Sequence, residues 1–567
     1  MLIRRRAVLW LGVFLILAGS IVASVTQTAG YSVRVQDVRW TGTNGTPMSA
    51  LLYVPPGATA RTPAPGILAV HGYINSRETQ DGFAIEFARR GYVVLAMDQT
   101  GHGYSGAAAR ENGYGGVDGL RYLRGLDIVD PANIGLEGHS MGGWTVLTAA
   151  KAMPDAYKAV VLEGSSTGSN LAPEGSPAFP RNLALVYSQF DEFSALMWNV
   201  PRARDVVTSP KLQAVFGSGG PVEPGRLYGS VADGTARELW TPATTHPQDH
   251  ISPEAIGHAL DWFGQTLAGG TPRPASDQVW FWKEAGTGVA LVGFVLFLLG
   301  MFDLLLGLPV FAGLRGVPAA VRTGRGPAWW LAFLLTTAVP VLTYFPLFDS
   351  TPLWLKPNAW LPQLITNQIG VWALVNAAVT IVLALLLRGG RAPVGGRVGA
   401  SFAIAVLTAA AGMAVLAAMG ALFTVDFRFW VVALKLPNLQ QARIALPYLV
   451  VFAVFFAVAL RALHTNLHVG GSSAAAQYAG NVGALALGFL LFVGTEYITL
   501  FATGQLLSPG EPLNTIVAIQ FVPLLAFVGV VATWCFRRTG TYWPGAFLCA
   551  LVVTWYIVAG QATQFHV

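Results

Sequence analysis

The chain has 2 cysteines in 567 residues, and only 11% of its residues are charged. Both cysteines, Cys535 and Cys549, lie in long apolar runs near the C-terminus. The remainder has no disulfide framework and no CxxC pair, which excludes a disulfide-stapled fold and dithiol redox chemistry. Soluble chains usually carry about 25% charged residues; here 53% of residues are hydrophobic, too many for a wholly soluble protein of this length. The net charge of +6 does not point to nucleic acid, because the excess sits largely in arginines of short loops between apolar runs. No ATP-binding loop and no cluster of metal-ligand type occurs, so no cofactor and no metal are expected. "HTNLH", His464 to His468, offers two histidines alone and reads as an interfacial loop.

What is present is unevenly spread. The start, "MLIRRRAVLWLGVFLILAGSIVASV", has three arginines followed by about nineteen mostly apolar residues, long enough to span a bilayer and longer than most signal-peptide cores. It reads as an uncleaved signal anchor over 7–27, within a first segment of residues 1–30. Residues 31–270 are mixed in character, and residues 271–567 are a succession of apolar runs. Candidate spans lie near 285–306, 328–347, 368–387, 399–424, 444–463, 482–503, 513–536 and 542–561, about eight helices, with Pro340 expected to kink its span. Arg315, Arg322 and Arg325 fall in the first loop; Arg388, Arg391 and Arg397 in the third; Arg461 at the start of the fifth; Arg537 and Arg538 in the seventh. That alternation fits a cytoplasmic N-terminus, with the mixed region and the C-terminus outside the cytoplasm. Arg428, Lys435 and Arg443, in the fourth loop, weaken the contrast. Among ionisable residues inside spans, Glu496 is the clearest, with Thr499 on its helix face and Asn376 or Gln520 as partners from other spans; Asp303 sits near a span end.

The mixed region alternates strands and helices. "VRWTGTNGTPMSALLYV" reads as a hairpin turning at Asn44-Gly45. "GILAV", "YVVLAM", "NIGLEG", "KAVVLEG" and "NLALVYS" are short apolar strands, with helix-like stretches at 78–90, 116–125, 141–153 and 192–199. Apolar strands without strict alternation predict a sheet buried on both faces, hence an α/β fold with a mostly parallel sheet. An all-α multi-span bundle follows it.

Gly138-His139-Ser140-Met141-Gly142 matches G-x-S-x-G between a strand and a helix. In such an elbow the serine occupies a strained turn, flanking glycines permit close packing, and the helix N-terminus favours negative charge beside the hydroxyl. His71-Gly72-Tyr73 follows an earlier strand. The backbone N–H groups of Tyr73 and Met141 are the expected oxyanion-hole donors. "DQTGHGYSG" follows the next strand and reads as a structural turn, with His102 a loop residue. A serine nucleophile needs a base, and the base an orienting acid. Asp191, at the end of "NLALVYS", is the expected acid; Glu192 is the alternative and also suits the first turn of the next helix. His246 and His250 precede a helix that starts at Ser252-Pro253-Glu254, with His258 inside it; either of the first two serves as the base.

With these elements in place, residues 31–268 resemble the α/β-hydrolase family. "DPANIGLEGHSMGG" looks most like its dienelactone-hydrolase and prolyl-oligopeptidase-like branch. The resemblance implies the order Ser140, Asp191, His246, favouring His246 over His250 by its distance to the final helix. It implies a serine hydrolase that cleaves an ester, thioester or amide; the expected partner is a small-molecule or lipid-like acyl substrate, the lipid-like option being suggested by tethering to the membrane at both ends. Only residues 165–181 separate "KAVVLEG" from "NLALVYS", leaving little room for a large lid there. The runner-up reading is a transporter or sensor whose hydrolase-like domain processes or binds the ligand.

Overall fold

A computed structural model describes residues 2–319, 322–386 and 397–565. Arg388 and Arg391 lie outside the described residues. Helix α1 (Leu2–Gln27) leads into strands β1 (Arg34–Thr41) and β2 (Pro47–Val54), an antiparallel pair. Their turn falls at Asn44 and Gly45, with φ of 56° and 75°. There follow β3 (Ala64–Val70), α2 (Asp81–Arg89), β4 (Val93–Asp98), α3 (Gly116–Arg124), β5 (Val129–His139), α4 (Met141–Ala152), β6 (Ala159–Glu163) and β7 (Leu183–Val186). Then come α5 (Ser194–Trp198), α6 (Pro210–Phe216), β8 (Arg237–Trp240) and α7 (Pro253–Thr266). Helix α5 starts after Glu192, so Glu192 belongs to the strand-to-helix loop rather than to a first turn.

The eight strands form one sheet in the order β1-β2-β4-β3-β5-β6-β7-β8, parallel from β4 through β8. Alternate residues of each strand enter opposite cores. Leu68, Leu95 and Leu136 pack towards α3 and α4, while Ile67, Val94 and Val161 pack with Phe83, Ile256 and Phe263 of α2 and α7. Burial on both faces is why these strands read as continuous apolar runs.

The second half comprises α8 (Trp280–Leu306), α9 (Pro327–Leu342), α10 (Tyr344–Trp354), α11 (Leu364–Leu386) and α12 (Val398–Phe423), then a short hairpin of β9 (Phe427–Phe429) and β10 (Val432–Leu434). It ends with α13 (Leu439–Leu467), α14 (Ala474–Thr503), α15 (Pro512–Thr539) and α16 (Trp543–Gly560). Among the described residues eight helices, α1 included, are long and apolar enough to cross a membrane, or nine if α9 and α10, which meet at 43°, count as one span. They suggest membrane insertion. The break falls just past Pro340, whose ring removes a helix hydrogen bond. Large apolar side chains such as Leu385 and Ile498 face outward, 74% and 71% exposed, an arrangement suited to lipid rather than water. Helix α1 lies directly against α8: a Cβ on Gly19 would strike the carbonyl oxygen of Gly286, and one on Gly293 would press on the backbone of Ile16. Such contacts let two helix backbones approach closely without a hydrophobic driving force.

Two intramembrane acids have partners other than those expected. Glu496 is fully buried, and its carboxylate accepts the backbone N–H of Ser508 at 3.0 Å, holding the α14–α15 loop. Asn376 instead bonds Thr343 and Trp372, and Gln520 bonds Tyr556. Thr499 bonds its own helix at Thr495. Asp303 is buried against Arg538 and Trp534. His464 is an interior residue of α13, stacked on Phe536 at 4.0 Å, not a loop residue.

Candidate active site

Strand β5 ends at His139 and α4 begins at Met141, leaving Ser140 alone in the turn with φ 54° and ψ −121°. A non-glycine residue is strained there. The neighbours explain the glycines: a Cβ on Gly138 would collide with the Gly142 carbonyl, and one on Gly142 with that of Val70. The turn is pinned, since Ser140 N–H donates to the Glu163 carbonyl at 2.8 Å and its own carbonyl accepts from Gly143 N–H at 2.9 Å. Met141 opens α4, so its N–H is among those with no acceptor inside the helix.

Asp191 follows β7, and His246 opens a short 3-10 turn (His246–Ile251) before α7. His246 Nδ1 donates to Asp191 Oδ2 at 2.8 Å. The other carboxylate oxygen of Asp191 accepts the Phe193 N–H at 2.8 Å and the Tyr187 hydroxyl at 3.2 Å. Glu192 has a separate role: one oxygen accepts the backbone N–H of His246 at 2.9 Å, and the other accepts the hydroxyl of Tyr497, from α14, at 2.7 Å. Burial opposes a charge on His246, but Asp191, Glu192 and Asp249 together outweigh it and raise the imidazole pKa. Burial, reinforced by Asp191, pushes Glu192 up to about 7.

Ser140, His246, Tyr73 and Met141 all line one cavity of about 350 Å³. His250 lines it too, but both of its ring nitrogens are buried without a partner among the described residues, and burial followed by its histidine neighbours holds its pKa well below normal. Its ring lies 4.0 Å from that of His139. Asp249 receives the Ser188 hydroxyl and lies 3.6 Å from His139. His250 thus lacks the acid partner that His246 has. His102 is buried on the Thr100 carbonyl at 2.9 Å, its pKa lowered by burial to about 3, in keeping with a structural turn. Ser252 caps α7, accepting the Ala255 N–H at 3.2 Å, and His258 stacks on Trp240 at 5.0 Å.

The far walls of the cavity come from the second half of the chain. Trp280, Lys283 and Glu284 of α8, Arg428 and Trp430 of the β9–β10 hairpin, and Gln520 of α15 all face it. Arg428 bonds Asp426 at 2.5 Å and Ser76 and Thr79 at 3.3 and 3.2 Å, with Glu78 at 3.5 Å; Lys435 lies 4.0 Å from Glu78. Trp430 Nε1 donates to the carbonyl of Pro247, the residue after His246, at 2.8 Å. Lys283 pairs with Asp81. At the C-terminal end, Thr563 exchanges backbone hydrogen bonds of 2.8 Å with Gly101 and Ala109, and the Gln564 side chain bonds the Tyr73 hydroxyl.

The sheet order and the elbow together define an α/β-hydrolase fold. A family model described as alpha/beta hydrolase fold matches residues 65–204. The chain is 24% identical over 239 residues to the esterase YjfP of Escherichia coli (strain K12), covering 38% of this chain and 95% of that protein. Among solved structures, a predicted CIB-like hydrolase from Thermoplasma acidophilum aligns at 18% identity and a TM-score of 0.30, over 41% of this chain and 99% of that one. The Pyrococcus furiosus esterase Pf2001 aligns at 17% identity and a TM-score of 0.29, over 43% of this chain and 94% of that one.

The residues that sequence reasoning missed are those of the far walls, with Tyr497. One signal was visible: Arg428 and Lys435, which disturbed the loop-charge alternation, are drawn to acidic residues of the hydrolase region rather than left free in a loop.

Proposed function

We propose that the chain is a membrane-anchored serine hydrolase that cleaves an ester, thioester or amide through an acyl-enzyme. The Ser140 hydroxyl attacks the substrate carbonyl carbon while His246 Nε2 takes its proton. The oxyanion is held by the N–H groups of Tyr73 and Met141. As the tetrahedral species collapses, the bond to the leaving group breaks and His246 returns the proton to it. Water, deprotonated by His246, then attacks the acyl-enzyme; the acid is released, and the proton passes back to Ser140. Asp191 fixes the imidazole tautomer and supports the imidazolium.

The observation that carries this reading is the 2.8 Å bond between His246 and Asp191 beside a strained serine in one cavity. The esterase relative supports the same class of reaction. Residues 1–30 serve as the anchor, 31–270 as the hydrolase domain and 271–567 as the membrane domain, with the bilayer as its partner. The close packing of α1 on α8 supports retention of the anchor. The contact of the C-terminal segment with the Gly101 and Ala109 loop supports a common side for the C-terminus and the hydrolase domain, outside the cytoplasm. Because both halves wall one cavity, a single catalytic unit is favoured over a transporter with an accessory domain.

A fluorophosphonate probe tests the reading. The wild-type chain takes the label; Ser140→Ala, folded to the same extent, does not, and its turnover falls by about 10⁴–10⁶. Equal labelling of the two would reject Ser140 as nucleophile.

A further inference from the structure

We infer that the substrate carries a long hydrocarbon chain, which the helices of the second half hold while its carbonyl sits at Ser140. The inference rests on the serine-hydrolase reading and adds the substrate class: a lipid-like amphiphile. Gln520 lines both the catalytic cavity and a smaller one beneath it, of about 40 Å³. It stands on α15 eight residues past Pro512, about 12 Å along the helix. Its Oε1 accepts the Tyr556 hydroxyl at 2.6 Å, so the polar end of the side chain at the junction is partnered.

Below the junction the surroundings change. Ile369 and Trp372 of α11, Phe452 of α13, Val517 and Phe521 of α15 and Ile557 of α16 line the smaller cavity. Close-packed interiors keep few voids, and an apolar void suits an apolar guest. A sugar, phosphate or charged group would leave its hydrogen bonds unmade there at substantial cost. A hydrocarbon chain meets no such cost. The cavity above is also largely apolar but adds charged groups, with Glu78, Lys283, Glu284 and Arg428 on its walls. An amphiphile has both parts in this order, with Gln520 at the wall that the two cavities share.

The chain can belong to the acyl group or to the alcohol, and two ester series separate these sources. Full-length protein in nanodiscs is assayed on one series with acyl groups from acetyl to octanoyl and on a second with alcohols of the same lengths. In the series that fits, kcat/KM rises by about fourfold per added methylene, the value expected for burying each one. Val517→Phe fills the lower cavity and lowers the octanoyl-to-acetyl (or octyl-to-ethyl) ratio tenfold or more. Phe521→Ala widens it and moves the preference to longer chains. Fluorophosphonate labelling verifies that each variant is folded. A flat profile in both series, or unchanged ratios in both labelled variants, overturns the inference. A wild-type chain that turns over no ester, or turnover that survives Ser140→Ala, overturns the serine-hydrolase reading as well, and the Ser140→Ala control tells the two failures apart.

Discussion

In the hydrolase region, the groups that meet at the cavity stand at the ends of strands and are reached in chain order: Ser140 after β5, Asp191 after β7, His246 before α7. In the second half they come from helix ends, the β9–β10 hairpin and the C-terminal segment, scattered from Trp280 to Gln564. The first region brings reactive groups to one edge of a parallel sheet, where loops are free to vary and strands are not. The second brings walls. Among the described residues its longest-range side-chain link joins Gln564 to Tyr73 across 491 residues. A helix bundle that exposes its apolar sides must make its polar contacts at its ends, and here those ends are spent on the hydrolase region. The candidate cavity is accordingly composite, with about a third of its lining residues drawn from the second half of the chain, which carries none of the proposed catalytic side chains.

The sharpest way to break this division is to strike the reactive side. His246→Ala is expected to lower kcat/KM about 10⁴-fold, comparable to loss of the nucleophile, because these residues act as a unit. His250→Ala is expected to cost less than tenfold, since no acid orients its ring. Steady-state kinetics on one ester decide it. A larger loss for His250→Ala would move the base to that residue and leave the 2.8 Å bond to Asp191 without a catalytic role.

The wall side has a different signature, in which stability falls along with rate. Arg428 is buried against Asp426 and Glu78. Removing one member of a buried charge network typically costs about 3–5 kcal/mol, since its partners stay buried without it. Arg428→Met is therefore expected to lower the midpoint of thermal unfolding of the whole chain and to loosen Trp430 from Pro247, lowering kcat/KM about 10-fold to 100-fold. Intrinsic fluorescence during a thermal ramp measures the first effect and ester turnover the second. If neither moves, the hairpin is a bystander and the membrane half only an anchor.

The same contrast decides what was legible before any coordinates. The elbow, the hairpin at Asn44-Gly45, the serine cap of α7 and the order of acid and histidine follow from local rules about turns, caps and strand ends, and the spans follow from length and hydropathy. Choosing His246 over His250 needed either a family resemblance or the sight of Asp191, because both histidines occupy the same short turn. Strand β8 escaped notice: "RELW" is four residues long with a buried Arg237 in it, and neither alternation nor an apolar run marks it. Glu496 illustrates the remaining limit. Its burial was expected from the cost of a carboxyl in hydrocarbon, yet its partner is a backbone N–H in a loop, and a sequence pattern that matches side chains to side chains does not find backbone donors.

The smallest expected effect tests the contact between the halves most finely. Tyr497 of α14 donates to Glu192, and Glu192 accepts the backbone N–H of His246. The imidazole is faced by Asp191, Glu192, Asp249 and the ring of His139; the negative charge of Glu192 is one of the influences that raise its pKa. The Tyr497 bond favours the ionised form of Glu192 against the burial that pushes it up to about 7. Tyr497→Phe removes that bond, so Glu192 holds its proton to higher pH and lends less negative charge to His246. The imidazole pKa then falls. His246 must be neutral to act as base, so the acid limb of kcat/KM against pH moves to lower pH, by a few tenths of a unit for the loss of one hydrogen bond of about 0.5–1.5 kcal/mol, while the plateau falls less than tenfold. Glu192→Gln, which cannot carry the charge at any pH, moves the limb the same way and further. A limb that stays put in both variants would mean that the membrane helix braces the histidine loop mechanically, without contributing to the protonation of the base.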